Sequence, residues 1–492
     1  MKDLKEKTIR GGSARVAALA ANFLLRVVSL SILARLLDPK DFGLLGMVTA
    51  FTSVLSLFRD FGLSAAAIQQ AEITEQQSST LFWINILVGA GLTAIAILLA
   101  PVIAMLYHEP RLFWITSVVA IGFLINGAGV QHSTILQRRM RFTTLAWIDV
   151  GSLIASTSLA IGAAVAGYGY WALVVMTVSL PLTSTLGLWL ASAWIPGAPR
   201  RGIGIRSMMR FGGTLTLNGL ILYVAFNFEK VLLGRFWGAE SLGIYGRAYQ
   251  LIRIPTDNLN GAVGEVAFSA LSRIQNDRSR LRSYFLKGYS LVLGFTVSIT
   301  IACALFADDI VIVLLGAKWK EVAPIFRLLA PTMLIFAITN PLGWLLNSLG
   351  LVGRGLKIAL VIAPLMVASY LVGLPYGPKG VAFAYSTVMM LWVVPGIVWA
   401  VHGTAISFRD VLRVTSPPLA SIIPAAGLGF GIRLFLGQTG SPLLRLFLEN
   451  LVLFTTYFGV LLFVAGQKLL YLDLLRGFAR PSSVKQKSLM SV

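Results

Sequence analysis

The sequence is short of acid. Its 492 residues include 20 Asp and Glu against 41 Lys and Arg, and charged residues of both signs make up only 12%. An ordinary soluble domain carries about 25%, so this chain cannot cover a water-facing surface with charge. A single cysteine, Cys303, excludes an internal disulfide and a thiolate metal cluster. The three histidines, His108, His132 and His402, are scattered and form no HExxH or other ligand spacing, which argues against a zinc enzyme. There is no Walker loop, and the lone GxG of RGIGIR (201–206) is no phosphate cradle. No nucleophile–base pair and no RNA- or DNA-binding motif is present, so no catalytic residue, no metal and no nucleic-acid partner is expected.

What is there is oil. Hydrophobic residues make 57% of the chain, with 47 glycines that suit close helix packing in lipid. Apolar segments of roughly 20 residues or more recur, each long enough to cross a core of about 30 Å. They fall near 12–36, 41–70, 78–107, 111–136, 142–167, 169–196, 209–236, 240–270, 283–307, 322–349, 351–374, 378–402, 413–437 and 443–468. The expected fold is therefore all-α: a polytopic membrane protein of about 14 transmembrane helices. The basic, then apolar N-terminus reads as the first of these helices, uncleaved, because Arg15 and Arg26 interrupt the run.

The net charge of +21 is mostly an orientation signal. Alternate connections carry Arg138, Arg139 and Arg141; Arg200, Arg201 and Arg206; Arg273, Arg278, Arg280 and Arg282; Arg354 and Lys357; and Arg409 and Arg413. The opposite connections hold only Lys40, Arg111, Lys318, Lys320 and Lys379. Both termini should then be cytoplasmic.

A repeat appears two hundred residues apart. The stretch SILARLLDPKDFGLLGMVTAF (31–51) lies over VLLGRFWGAESLGIYGRAYQL (231–251), matching Leu33, Arg35, Gly43 and Gly46 to Leu233, Arg235, Gly243 and Gly246. The simplest account is two pseudo-symmetric six-helix lobes, 1–200 and 201–403, followed by two extra C-terminal helices and a basic tail in 404–492. Parallel repeats of this kind mark transporters, with the substrate site between the halves.

The charges inside the membrane follow the repeat. Arg15, Asn22, Arg26 and Ser29 share one face of the first span. Arg247, Gln250, Arg253, Asp257 and Asn260 share one face of the eighth. The second span adds Ser53, Ser56 and the Arg59–Asp60 pair, and the seventh adds Asn218, Asn227, Glu229 and Lys230. A charge at the bilayer centre costs roughly 3 kcal/mol on the gentlest scale, so such groups face a wet cavity or one another. The arginines Arg15, Arg26, Arg59, Arg247 and Arg253, with Asn22 and Gln250, are expected to line a cationic cavity for a phosphate or an acidic sugar, whose geometry the guanidinium fork matches. Local pairing of Arg253 with Asp257 or Arg59 with Asp60 is the competing reading, and Arg35 and Arg235 are expected to snorkel to headgroups. Glu229, Lys230 and Asp257 are the candidates for an ion response. No organic cofactor is expected, leaving H+ or Na+ coupling or the substrate gradient as the energy source.

At these residues the chain resembles the Wzx-type polysaccharide and oligosaccharide-lipid flippases of the MOP superfamily, nearest the colanic-acid and succinoglycan type. The resemblance rests on ARLLDPKDFGLLG (34–46), DFGLSAAAIQQAEITEQQSSTLFWINI (60–86), ILQRRMRF (135–142), LLGRFWGAESLGIYGRAYQL (232–251), FSALSRIQND (268–277) and LLGAKWKEVAPIFRLLAP (314–331). It departs from the family pattern at Glu229, where Asp is usual, and at Ser269, where Pro is frequent. The resemblance implies a bacterial inner-membrane protein that moves undecaprenyl-pyrophosphate-linked repeat units to the periplasmic leaflet by alternating access. It also implies membrane lipids, a polysaccharide polymerase and a chain-length regulator as partners. A lipid II flippase and an ion-coupled multidrug antiporter of the same superfamily stay open as alternatives, the second disfavoured by the arginine excess. An integral-membrane glycosyltransferase or polymerase would need a carboxylate base or a large periplasmic loop, and no loop here is long enough.

Overall fold

The computed structural model describes residues 21–59, 74–199, 206–437, 441–469 and 471. Helix α1 occupies 21–36. It is followed by α2 (Pro39–Ser56), α3 (Glu75–Tyr107), α4 (Arg111–Arg138), α5 (Phe142–Val165) and α6 (Trp171–Ser192). The helical stretch Arg206–Arg273 is divided at Gly238 into α7 and α8. Then come α9 (Arg278–Leu305), the short α10 (Ala307–Leu314), α11 (Val322–Ser348), α12 (Val352–Gly373), α13 (Gly377–Val401), α14 (Phe408–Leu436) and α15 (Pro442–Gly459). Every expected span meets a helix. Among the described residues, nine helical stretches are long and apolar enough to cross a membrane, and the longest of them, Val352–Val401, holds both α12 and α13. The four expected spans outside this set are α1, α2, α7 and α8, on which the sequence places its polar stripes.

Helix starts are written in the sequence. The first N–H groups of a helix have no partner within it, and lipid offers none. Asp38 opens α2 with Pro39 in the first turn, and the Asp38 N–H donates to Asp41 Oδ2 at 3.1 Å. Thr74 and Gln77 cap α3 reciprocally at 3.2 and 3.0 Å. Ser407 and Asp410 do the same for α14. Gly238 turns α7 into α8 within one residue at φ 78°, a backbone state that only glycine adopts without strain.

The chain divides into two compact units. One holds residues 1–247 with 314–321 and 363–384, and the other holds 248–313, 322–362 and 385–492. In the first, α3 packs on α4, α5 on α6, and α4 on α6. The repeat-related glycines Gly43 and Gly243 meet face to face: a Cβ on Gly43 would strike the Ala239 carbonyl, and one on Gly243 the Pro39 carbonyl. Gly46 and Gly246 do not share this role, since Gly46 stands at ordinary contact distance, 3.4 Å, from Leu242, and Gly246 faces open space. The Trp237 indole N–H, beside the Gly238 turn, donates to the Leu374 carbonyl at 2.8 Å.

In the second unit α9 packs on α11 and α14, and α14 on α15. Phe285, Tyr289 and Leu293 of α9 share a core with Leu342 and Leu345 of α11 and Ile397 and Val401 of α13. The buried Tyr289 hydroxyl donates to the Ile338 carbonyl at 3.0 Å. Ion pairs fix both ends of α14. Near its start, Arg282 of α9 grips Asp410 through two bonds of 3.0 and 2.5 Å, and near its end, Arg433 reaches Asp308 of α10 at 2.6 Å. Between them lie Pro417, Pro418 and Pro424.

Candidate functional site

The polar face of α1 is answered by α5. The Ser29 hydroxyl lies 3.2 Å from Thr157 Oγ1, and two turns away along α5 the Asp149 carboxylate feels the charge of Arg26. Arg26 and Asp149 are both exposed. Arg26 lies ten residues, roughly 15 Å, from the end of α1 at residue 36. The sequence places no acid beside Arg26 within its own span, 12–36. Asp149, the one acid of the 142–167 segment, could have been flagged by the same rule that flagged the arginines. Asn22 is half-buried on α1, and Arg59 is exposed just beyond α2. Arg15 and Asp60 lie outside the described residues.

On α7, Glu229 is 1% exposed, while the Lys230 ammonium donates to Asn227 Oδ1 at 2.7 Å. The Arg247 guanidinium lies 4.2 Å from the centre of the Phe42 ring, a cation–π contact that belongs to the α2–α8 packing. Gln250 is half-buried and Arg253 is exposed, its guanidinium 5.9 Å from the Tyr249 ring. Arg253 lies fifteen residues, roughly 22 Å, from the Gly238 turn. The side chain of Asp257 lies outside the described residues. Arg35 and Arg235 are exposed near the ends of α1 and α7.

Two motifs of unassigned role come together in the first unit. Trp319 of GAKW is fully buried, and its indole N–H donates to the Ala34 carbonyl at 2.7 Å. Its ring meets the edge of Phe42, of DPKDFG, at 5.3 Å. Beside it Lys318 pairs with Asp38 at 2.8 Å. Gly316 at φ 97° lets the chain turn into this seat.

A charge cluster missed from sequence occupies the second unit. Asp308 accepts from Arg327 of α11 at 2.8 Å and from Arg433 of α14, and Asp309 is clasped by the fork of Arg445 of α15. Burial opposes ionisation of Asp308, but the hydrogen bonds and charges of Arg433 and Arg327 outweigh it and hold the carboxyl below its ordinary value. Among the described residues no three His, Cys, Asp or Glu converge as a metal-binding group. His132 is buried in an aromatic nest of Phe82, Trp189 and Trp194, its Nδ1 2.8 Å from the Ser192 hydroxyl.

Helices alone among the described residues, nine stretches of them long and apolar enough to cross a membrane, define a multi-pass membrane protein of transporter type. The family model described as polysaccharide biosynthesis protein matches residues 32–324, and the chain belongs to that family. It is 26% identical to the lipopolysaccharide biosynthesis protein WzxC of Escherichia coli (strain K12), over 75% of this chain and 76% of the relative. It is 30% identical to the teichuronic acid biosynthesis protein TuaB of Bacillus subtilis (strain 168), over 66% and 68%. It is 22% identical to the succinoglycan biosynthesis transport protein ExoT of Rhizobium meliloti (strain 1021), over 88% of each. Its fold is similar to that of the lipid II flippase MurJ in an inward closed conformation, with a TM-score of 0.71 at 14% identity, covering 95% of this chain and all of that one.

Proposed function

We propose that the chain flips undecaprenyl-pyrophosphate-linked oligosaccharide repeat units across the bacterial inner membrane by alternating access. The observation that carries this reading is the pairing of a polysaccharide-biosynthesis family match with arginines exposed on the helices α1 and α8. The relatives named for surface-polymer synthesis and transport, and the flippase fold, point the same way. Arg26 and Arg253, exposed on α1 and α8, are assigned to the pyrophosphate or an acidic sugar. A strain lacking the gene should lose one surface polymer and accumulate its lipid-linked repeat unit on the cytoplasmic leaflet; unchanged polymer would overturn the reading.

The arginines are tested within that strain. Arg26→Ala and Arg253→Ala should each cut export roughly tenfold or more at normal protein level, since a charge-assisted bond is worth about 1.5–3 kcal/mol. Lysine should restore part of it, because a point charge replaces a fork. Arg35→Ala should be mild. Should Asp149→Asn reproduce the loss seen with Arg26→Ala, pairing across α1 and α5 is what Arg26 supplies, and the substrate role falls.

The loop charges orient the chain with both termini in the cytoplasm. Reporter fusions after residues 39, 202, 318 and 484 should read out, in, out and in. A reversal at 202 would break this orientation.

A further inference from the structure

We propose that Glu449 on α15 is a proton-binding site whose ionisation competes with Asp308 and Asp309 for their arginines. Glu449 is 0% exposed, and neither carboxyl oxygen has a hydrogen-bond partner. It shares a face of α15 with Leu446 and Leu453, which pack with Ala302 of α9 and with Phe306, between α9 and α10. Ser441 caps this helix, so Glu449 sits eight residues, roughly 12 Å, inside it. A carboxylate there, charged and without a donor, is the costliest state the group can take. A neutral acid is not.

The surrounding charges set the competition. Asp309 on α10 repels an ionised Glu449, while Arg433 on α14 and Arg445, four residues back on α15, attract it. Both arginines are already committed, Arg445 to Asp309 and Arg433 to Asp308, which also takes Arg327 of α11. On α9 the titratable group nearest this level in the sequence is Cys303, itself buried. With Glu449 protonated the cluster holds three arginines against two aspartates; with it ionised the charges balance, but both arginines that attract it are already engaged with aspartates. Loss of the proton therefore draws the fork of Arg445 or Arg433 away from its aspartate. That change ties α15 to α10 and to the end of α14. Cation binding fits less well, since no metal-ligating group forms among the described residues.

Use of this proton to drive transport rests on the flippase reading above; the site itself does not. It is tested on the purified full-length protein in lipid, by infrared titration of the protonated-carboxyl carbonyl stretch, which needs no transported substrate. The wild type should show a band that disappears as pH rises. Glu449→Gln should lack that band, and Glu229→Gln should keep it. Asp309→Asn removes the repelling charge and releases Arg445, so it should move the midpoint down by about one pH unit. A wild type with no titrating band, or the same band in Glu449→Gln, overturns the proposal. If Glu449→Gln does not accumulate, an unmoved midpoint in Asp309→Asn overturns it instead.

Discussion

Gly43→Ala and Gly243→Ala are each expected to lower stability by about 2–3 kcal/mol, the upper range for overpacking a tight contact. Gly43→Leu is expected to stop accumulation of the protein. The reason is that the obstacle is backbone. A side chain can rotate out of the way, but the carbonyls of Ala239 and Pro39 belong to the helix and the turn they sit in. To admit a methyl, α2 and α8 must separate along their length and give up the contacts on either side. Gly246→Ala supplies the control: it meets open space and should stay within about 0.5 kcal/mol of wild type. Thermal melting in detergent, followed at the protein's own tryptophans, reads all three. A Gly43→Ala protein that melts with the wild type would show that α2 and α8 do not meet this way.

Trp319→Ala is expected to cost about 3–5 kcal/mol, as for other fully buried large aromatics. Lys318→Ala, next to it, should cost no more than about 1 kcal/mol, because Lys318 and Asp38 are 56% and 67% exposed and water competes for the pair. The magnitudes decide what seats the 314–321 segment: the indole, with its bond to Ala34 and its edge contact with Phe42. Trp319→Phe keeps most of the apolar area and loses the donor, so it should fall between the two. Equal losses for Trp319→Ala and Lys318→Ala would make the ion pair, not the ring, the anchor.

The helices were legible because hydropathy and length are local properties, and lipid enforces both. The caps at Asp38, Thr74 and Ser407 were legible in principle for the same reason, since a cap and its receiver lie three residues apart. The repeat aligned Gly43 with Gly243 and Gly46 with Gly246 alike, and it did not reveal that the first pair alone meets face to face. The candidate site was less readable. Residue type and helical spacing found Arg26 and Arg253, but not Asp149, whose partner lies on another helix. The pairs Arg282–Asp410, Arg445–Asp309 and Lys318–Asp38 span 128, 136 and 280 residues. No pattern in a single sequence specifies such partners, because the fold, not the spacing, brings them together. Glu449 was visible as an acid in an apolar span, and the rule applied to α1 and α8 would have found it.

Helix α14 is clamped at both ends and soft in the middle. Asp410 holds one end to Arg282, and Arg433 holds the other to Asp308. Each of Pro417, Pro418 and Pro424 deletes the hydrogen bond that would have run back one turn, to Arg413, Val414 and Ala420. A rod with fixed ends and missing cross-ties midway behaves as a leaf spring.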